Sequence, residues 1–159
     1  MRIHIGGDHA AYDLQHALIR HLEDAGHDVV NHGPDDFDAE DDYPVFVLRA
    51  AEAVAAEPDT LGIVLGGSGN GEQMAANKVA GIRAALAYTP ELAALAREHN
   101  NAQIVSIGAR FTSEDLAKSI VDTFVATGFS DAERHRRRID MVSAYEASHE
   151  LPALPSAGH

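Results

Sequence analysis

Short apolar runs alternate with longer amphipathic stretches along this chain, and the alternation predicts its elements. Arg2–Gly6 is a β-type run. After Gly7-Asp8-His9, the residues Leu14, Ala17, Leu18 and Leu22 recur at helical spacing, and Gly26 stops that helix. His27–His32 reads as a second strand and Asp35–Asp42 as an acidic loop. Tyr43-Pro44 opens a helix through Val54, with proline tolerated because first-turn amides have no helical partner. Leu61-Gly62-Ile63-Val64-Leu65 is nearly unbroken in its apolarity, as a strand buried on both faces requires. A glycine-rich turn follows, then a helix near Glu72–Lys78, a strand at Arg83–Tyr88, a helix from Pro90 to about Glu98 and a strand at Ala102–Ile107. Two further helices have starts resembling capping boxes, Thr112…Asp115 and Ser130…Glu133. The tail Leu151–His159 carries two prolines and is expected to be irregular.

Strands separated by helices imply βαβ crossovers. The expected fold class is therefore α/β, a Rossmann-like three-layer α/β/α sandwich around a mostly five-stranded parallel sheet. No repeat, low-complexity tract or linker divides it, so residues 1–150 are expected to form one domain. In open parallel sheets the ligand sits beyond the carboxyl ends of the strands. The loops Gly6–His9, Gly66–Glu72 and Gly108–Arg110 should converge there, with Tyr88–Pro90 nearby.

Composition narrows the chemistry. At 159 residues the chain can bury a continuous core without cross-links, and the absence of cysteine excludes disulfides, thiolate nucleophiles and Cys-based metal sites. The formal charge of −13 argues against nucleic acid as a partner. No apolar run approaches the roughly 20 residues of a membrane span, and the N-terminus lacks the pattern of a secretory signal, so a cytoplasmic protein with no membrane partner is expected. The positive charge is unevenly spread: Arg134, Arg136, Arg137 and Arg138 fall within five positions, which suits a small anionic ligand.

The segment Gly66-Gly67-Ser68-Gly69-Asn70-Gly71-Glu72 lies between a buried strand and a helix start. Its amides can face an anion, aided by the positive end of the helix dipole, although a tight structural turn would look similar. Neither common nucleotide fingerprint fits, because the glycine spacing is wrong for a dinucleotide loop and Glu72 stands where a P-loop needs Lys. A carboxylate beside an amide cradle would repel a bound phosphate. It suits a loop that stabilises a transient oxyanion while the carboxylate takes a proton from the adjacent carbon, as in enolisation. Glu72 as a plain first-turn acid favoured by the helix dipole remains the alternative. Arg134 and Arg138, four apart on a helix, can together grip a phosphate, or else belong to a solvated basic face paired with local acids. Arg110, on a loop after a strand, is a further phosphate candidate. Asp8, His9 and His99 lie near strand ends expected to face the site, where an imidazole can move protons near neutral pH. No histidine spacing suits zinc, and the acidic loop Asp36–Asp41 lacks the glycine of a calcium loop, so no metal is expected and the loop reads as solvated surface.

Five segments in this order, Gly6-Gly7-Asp8-His9-Ala10, Gly66–Gly71, Ala75-Ala76-Asn77-Lys78, Arg97-Glu98-His99-Asn100-Asn101-Ala102 and Arg134-His135-Arg136-Arg137-Arg138, resemble the ribose-5-phosphate isomerase B family, over roughly residues 2–150. The likeness is to its actinobacterial branch, where the loop Ser and a following Glu occur together. The resemblance implies a homodimer, or a dimer of dimers, with an active site completed by two chains and no cofactor. It implies that Glu72 shuttles a proton between C2 and C1 and that Ser68 with the amides of Gly69, Asn70 and Gly71 stabilises an enediolate. Asp8 and His99 would open the sugar ring, and His9, Arg110, Arg134 and Arg138 would hold the phosphate, with His99, Asn100 and Arg110 supplied by the partner. Other branches place a catalytic cysteine at the position of Gly67; here the base must be another group, and Glu72 is the nearest carboxylate on that loop. The expected activity is interconversion of ribose 5-phosphate and ribulose 5-phosphate. Six-carbon aldose–ketose phosphate isomerisation and non-catalytic sugar-phosphate binding stay open as alternatives.

Overall fold

The computed structural model describes residues 1–157. Five strands, β1 (Arg2–Gly7), β2 (Asp28–Asn31), β3 (Leu61–Gly66), β4 (Ala84–Leu86) and β5 (Ile104–Gly108), form one sheet in the order β2-β1-β3-β5-β4. Every pairing is parallel. The intervening helices are α1 (Tyr12–Asp24), α2 (Tyr43–Ala56), α3 (Asn70–Ala76), α4 (Pro90–Asn100), α5 (Glu114–Ala126) and α6 (Glu133–Ser148), and a short 3₁₀ turn, His9–Ala11, precedes α1.

Alternation along the central strands builds two cores. Ile63 and Leu65 of β3 point with Ile3 and Ile5 of β1 into a layer closed by Leu18 and Leu22 of α1, Ala93 and Ala96 of α4, and Ile120 and Phe124 of α5. Val64 of β3 faces the other way, with Ile104 of β5, against Val47, Ala51 and Val54 of α2 and Ala76 of α3. These are the three layers anticipated from the apolar runs. Phe124 is fully buried, and burying such a ring stabilises by roughly 1.5–3 kcal/mol. Helix α6 belongs to neither core; it lies on α4 and buries only His135.

Sheet order reverses beside β1: β2 lies on one side of it and β3 on the other, so the loops leaving β1 and β3 part toward opposite faces and open a crevice between them. The ends of β3 and β5 are stitched together by Ala109 N–H donating to Gly66 C=O at 2.8 Å and Arg110 N–H to Gly67 C=O at 3.0 Å.

Several boundaries differ from the sequence reading. Helix α3 begins at Asn70, capped by Gly69 at φ 83°, so Asn70 and Gly71 lie in its first turn rather than in a loop. Strand β4 is confined to Ala84–Leu86, because the Arg83 amide is taken by the Gln103 side chain at 2.8 Å. Helix α4 runs on to Asn100, with Asn101 left-handed at its C-cap, which places His99 and Asn100 inside its last turn. The N-cap of α5 is Ser113, whose hydroxyl accepts from Leu116 N–H, and that of α6 is Ala132. Thr112 is buried and Ser130 Oγ is bonded to the His135 ring, so neither forms the capping box expected of it. Residues 151–157 form no helix or strand; Gly158 and His159 of the expected tail lie outside the described residues.

Candidate active site

The loops after β1, β3 and β5 bring Asp8, His9, Gly67, Ser68, Glu72 and Arg110 together at the carboxyl edge of the sheet. Glu72 sits in the first turn of α3, which turns its side chain back toward the end of β3. Its carboxylate occupies the space beside the Gly66 backbone that a side chain there would fill, and the residue is 4% exposed. Burial pushes its pKa above the ordinary glutamate value, and the Asp8 charge pushes the same way; the amides of Glu72 itself and Gly69 oppose both. A buried carboxylate tuned upward is the kind of group that works as a proton shuttle.

Asp8 is buried at the end of β1 and caps the 3₁₀ turn, accepting from Ala10 N–H at 3.0 Å. Its pKa is also raised, chiefly by burial, with Asp41 contributing. His9 follows it. Asp41 Oδ1 accepts from the His9 amide at 2.9 Å and lies 2.7 Å from the ring Nδ1, and this carboxylate raises the His9 pKa against burial and the Arg110 charge. Arg110 reaches across the β3 loop: a Cβ on Gly67 would fall 3.1 Å from its guanidinium. This approach is made within one chain, whereas the resemblance implies an Arg110 supplied by the partner.

The glycine loop is held from both sides. Tyr88 donates its hydroxyl to Ser68 C=O, and the buried Ser106 hydroxyl donates to Gly69 C=O at 2.8 Å. A Cβ on Gly71 would fall 2.6 Å from the Tyr43 hydroxyl, so a side chain there would push the phenol aside. Ser68 Oγ accepts from Asn70 N–H at 3.2 Å, so that amide is engaged by the loop itself. Tyr43 and Asp41 were missed from the sequence. Asp41 was hidden in an acidic run, yet its side chain is only 7% exposed and sits against His9.

The remaining expected residues form a second group. The His99 ring stacks on His135 with centroids 4.3 Å apart, and His135, its Nδ1 2.7 Å from Ser130 Oγ, has its pKa lowered by burial, by His99 and by Arg134 and Arg138. Asn100 and Arg138 share a groove of about 610 Å³ with Gln73, Asn77 and Arg83. Arg136 and Arg137 pair with Asp131 and Glu133 at 2.9 and 2.8 Å, whereas Arg134 and Arg138 have no ion pair among the described residues. No hydrogen bond, ion pair or ring contact among the described residues joins this second group to Glu72, Asp8 or His9.

Asp8, His9 and Asp41 offer ligand atoms within 4.8 Å of one another, and two of these groups, His9 Nδ1 and Asp41 Oδ1, are already hydrogen-bonded to each other. No helix of the described residues is long and apolar enough to cross a membrane.

A family model described as ribose/galactose isomerase matches residues 3–142. Over 157 residues the chain is 54% identical to ribose-5-phosphate isomerase B of Mycolicibacterium paratuberculosis, covering 99% of each sequence. Among solved structures, ribose-5-phosphate isomerase B of Mycoplasma genitalium with bound ribulose-5-phosphate superposes with a TM-score of 0.89 at 41% identity, over 92% of this chain and 97% of that one. The type B ribose 5-phosphate isomerase of Trypanosoma cruzi does so with a TM-score of 0.89 at 43% identity, over 94% and 100%.

Proposed function

The chain belongs to the ribose/galactose isomerase family, and from that premise we propose that it interconverts ribose 5-phosphate and ribulose 5-phosphate through an enediolate, with Glu72 as the proton shuttle. The observation that carries the assignment is the buried Glu72 carboxylate, held beside Gly66 at the mouth of the amide loop with its pKa raised. Ionised, it removes the C2 proton of the open-chain sugar. The electrons move to the carbonyl oxygen, and the developing oxyanion is met by the Ser68 hydroxyl and the Gly71 amide, the Gly69, Asn70 and Glu72 amides being turned to Glu72 and Ser68. A proton passes from the C2 hydroxyl to the C1 oxygen, so that the C2–O bond becomes the carbonyl as protonated Glu72 returns its proton to C1. A positioned base contributes roughly 10²–10⁴-fold and preorganised oxyanion donors several kcal/mol, which suits a reaction without metal or cofactor.

Asp8, buried with a raised pKa, is placed to exchange a proton with the ring oxygen during opening; His99 is its counterpart in the second group. His9, Arg110, Arg134 and Arg138 hold the phosphate. That no hydrogen bond, ion pair or ring contact among the described residues joins the two groups supports a site shared between the chains of a homodimer or of a dimer of dimers. One chain would contribute Asp8, His9, Gly67, Ser68, Glu72 and Arg110, and its partner His99, Asn100, Arg134 and Arg138. A formal charge of −13 and the small polar substrate favour a cytoplasmic enzyme with neither nucleic acid nor membrane as partner.

The test is conversion of ribose 5-phosphate to ribulose 5-phosphate in excess EDTA, with allose 6-phosphate and galactose 6-phosphate alongside. Chelator-resistant turnover of the pentose is expected. Preferential turnover of a hexose phosphate would move the substrate, and ligand-induced stabilisation without turnover of any sugar would make the chain a sensor.

A further inference from the structure

Most of the acidic loop before α2 stands in solvent, with Asp35–Glu40 exposed, but Asp41 turns inward. Asp38 starts the inward turn: its carboxylate accepts from Glu40 N–H at 2.9 Å and its carbonyl from Asp41 N–H at 3.2 Å. Three residues on, the Asp41 side chain is carried to His9 at the end of β1. One oxygen accepts from both the amide and the ring of His9, while Oδ2 is buried without a partner. Two residues later Tyr43 lies over Gly71, so the segment that fixes His9 also braces the oxyanion loop.

A carboxylate can only accept, so His9 Nδ1 carries the proton in this bond. A neutral ring would then present a bare lone pair at Nε2, which would repel a phosphate oxygen. Only the imidazolium offers Nε2–H outward. The charged groups facing the ring are Asp8, Asp41 and Arg110; the two carboxylates favour the imidazolium and Arg110 opposes it. His9 Nε2 has no partner among the described residues and is free to meet a ligand.

We propose that Asp41 is a positioning residue for His9, clamping its backbone and ring so that Nε2–H is presented to the substrate phosphate as a fixed cationic donor. This rests on the reading of His9 as a phosphate ligand. It gives a buried acid that never touches the sugar a role in substrate affinity rather than in proton transfer. Because the His9 pKa is raised, the donor form is present below that raised value and is lost as pH climbs through it, so phosphate affinity should weaken toward alkaline pH.

The test follows the His9 ring protons by NMR, and KM and kcat for ribose 5-phosphate, from about pH 6 to about pH 9 in wild type, Asp41→Asn and Asp41→Glu. Asparagine keeps the shape and an accepting oxygen but removes the charge. Asp41→Asn is expected to lower the His9 midpoint by about one unit and to raise KM roughly 5- to 20-fold near neutrality, with kcat within about twofold. Asp41→Glu should recover part of both. An unchanged His9 midpoint in Asp41→Asn, or a lower midpoint with wild-type KM, would overturn the proposal, as would loss of kcat with KM intact. Wild-type KM in His9→Ala would overturn the phosphate reading instead, and it is told apart because the midpoint shift in Asp41→Asn would persist.

Discussion

The carboxylate of Glu72 lies against the backbone of Gly66, in the volume a side chain at that position would occupy. The proposed base is thus aimed by a missing methyl group at the end of β3. Gly66 is extended and has no left-handed backbone to preserve, so Gly66→Ala should fold with its sheet intact while forcing the carboxylate aside. A displacement of about 1 Å at a reacting group can cost on the order of 10²-fold. A fall in kcat of that size is expected, with circular dichroism unchanged. Wild-type kcat in this variant would mean that the observed seat of Glu72 is not the working one.

Glu72→Gln separates chemistry from stability. Turnover should fall by roughly 10²–10⁴-fold while ribose 5-phosphate still raises the melting temperature. Folding raises the pKa of this acid, so the native state favours its protonated form and pays a penalty for the charge once pH exceeds the unfolded pKa. The variant should therefore melt higher than wild type near neutral pH, and the difference should vanish at acid pH where both side chains are neutral. In the active wild type, kcat should rise with pH through a midpoint above the ordinary glutamate range. A less stable Glu72→Gln protein at neutral pH would contradict the assigned burial penalty.

What the sequence revealed and what it hid follow from how each residue is satisfied. Leu61–Leu65 was legible as a central strand because a strand covered on both faces needs apolar residues at every position, and β3 is buried throughout. Glu72 stood out because a carboxylate beside an amide cradle is electrostatically odd, and the structure buries it against Gly66. Polar residues with distant partners were not legible. Gln15 looks like a surface position of α1, yet it is fully buried, donating to Asn31 Oδ1 and Gly33 C=O, each at 2.9 Å. His4 is buried in β1 with Nδ1 2.9 Å from His32 Nε2. Asp41 sat in a run of acids indistinguishable from solvated surface until the loop brought it to His9. Ser130 resembled a helix cap, but its hydroxyl is committed to His135, a partner no local motif announces.

The arginine cluster should divide by its ion pairs. Arg136 and Arg137 are exposed and paired with acids on or near their own helix, so Arg136→Ala and Arg137→Ala should leave KM within about twofold of wild type. Arg134 and Arg138 carry no such pair among the described residues. A charge-assisted contact to phosphate contributes roughly 1.5–3 kcal/mol, so truncating either should raise KM by about 10- to 100-fold with a smaller change in kcat. Steady-state kinetics on the four variants decides this, and equal KM values across all four would return the cluster to a solvated basic face.

The separation of His99 from Glu72 leads to a complementation experiment. If each site takes Glu72 from one chain and His99 from its partner, a hybrid of Glu72→Gln and His99→Asn chains holds one intact site and one doubly altered site. Random reassortment of equal amounts makes about half the dimers hybrids, so roughly a quarter of wild-type activity should appear from two impaired parents. Mixing under mild denaturant followed by refolding would exchange the chains, and either parent treated alone serves as the control. His99→Asn must first be shown to lose most of its turnover, which the ring-opening role predicts. Recovery would require the two residues to act across a subunit boundary, since no chain in the mixture carries both. Activity that stays at the mean of the two parents would place the whole reaction within single chains, and His99 would then owe its position to stacking on His135.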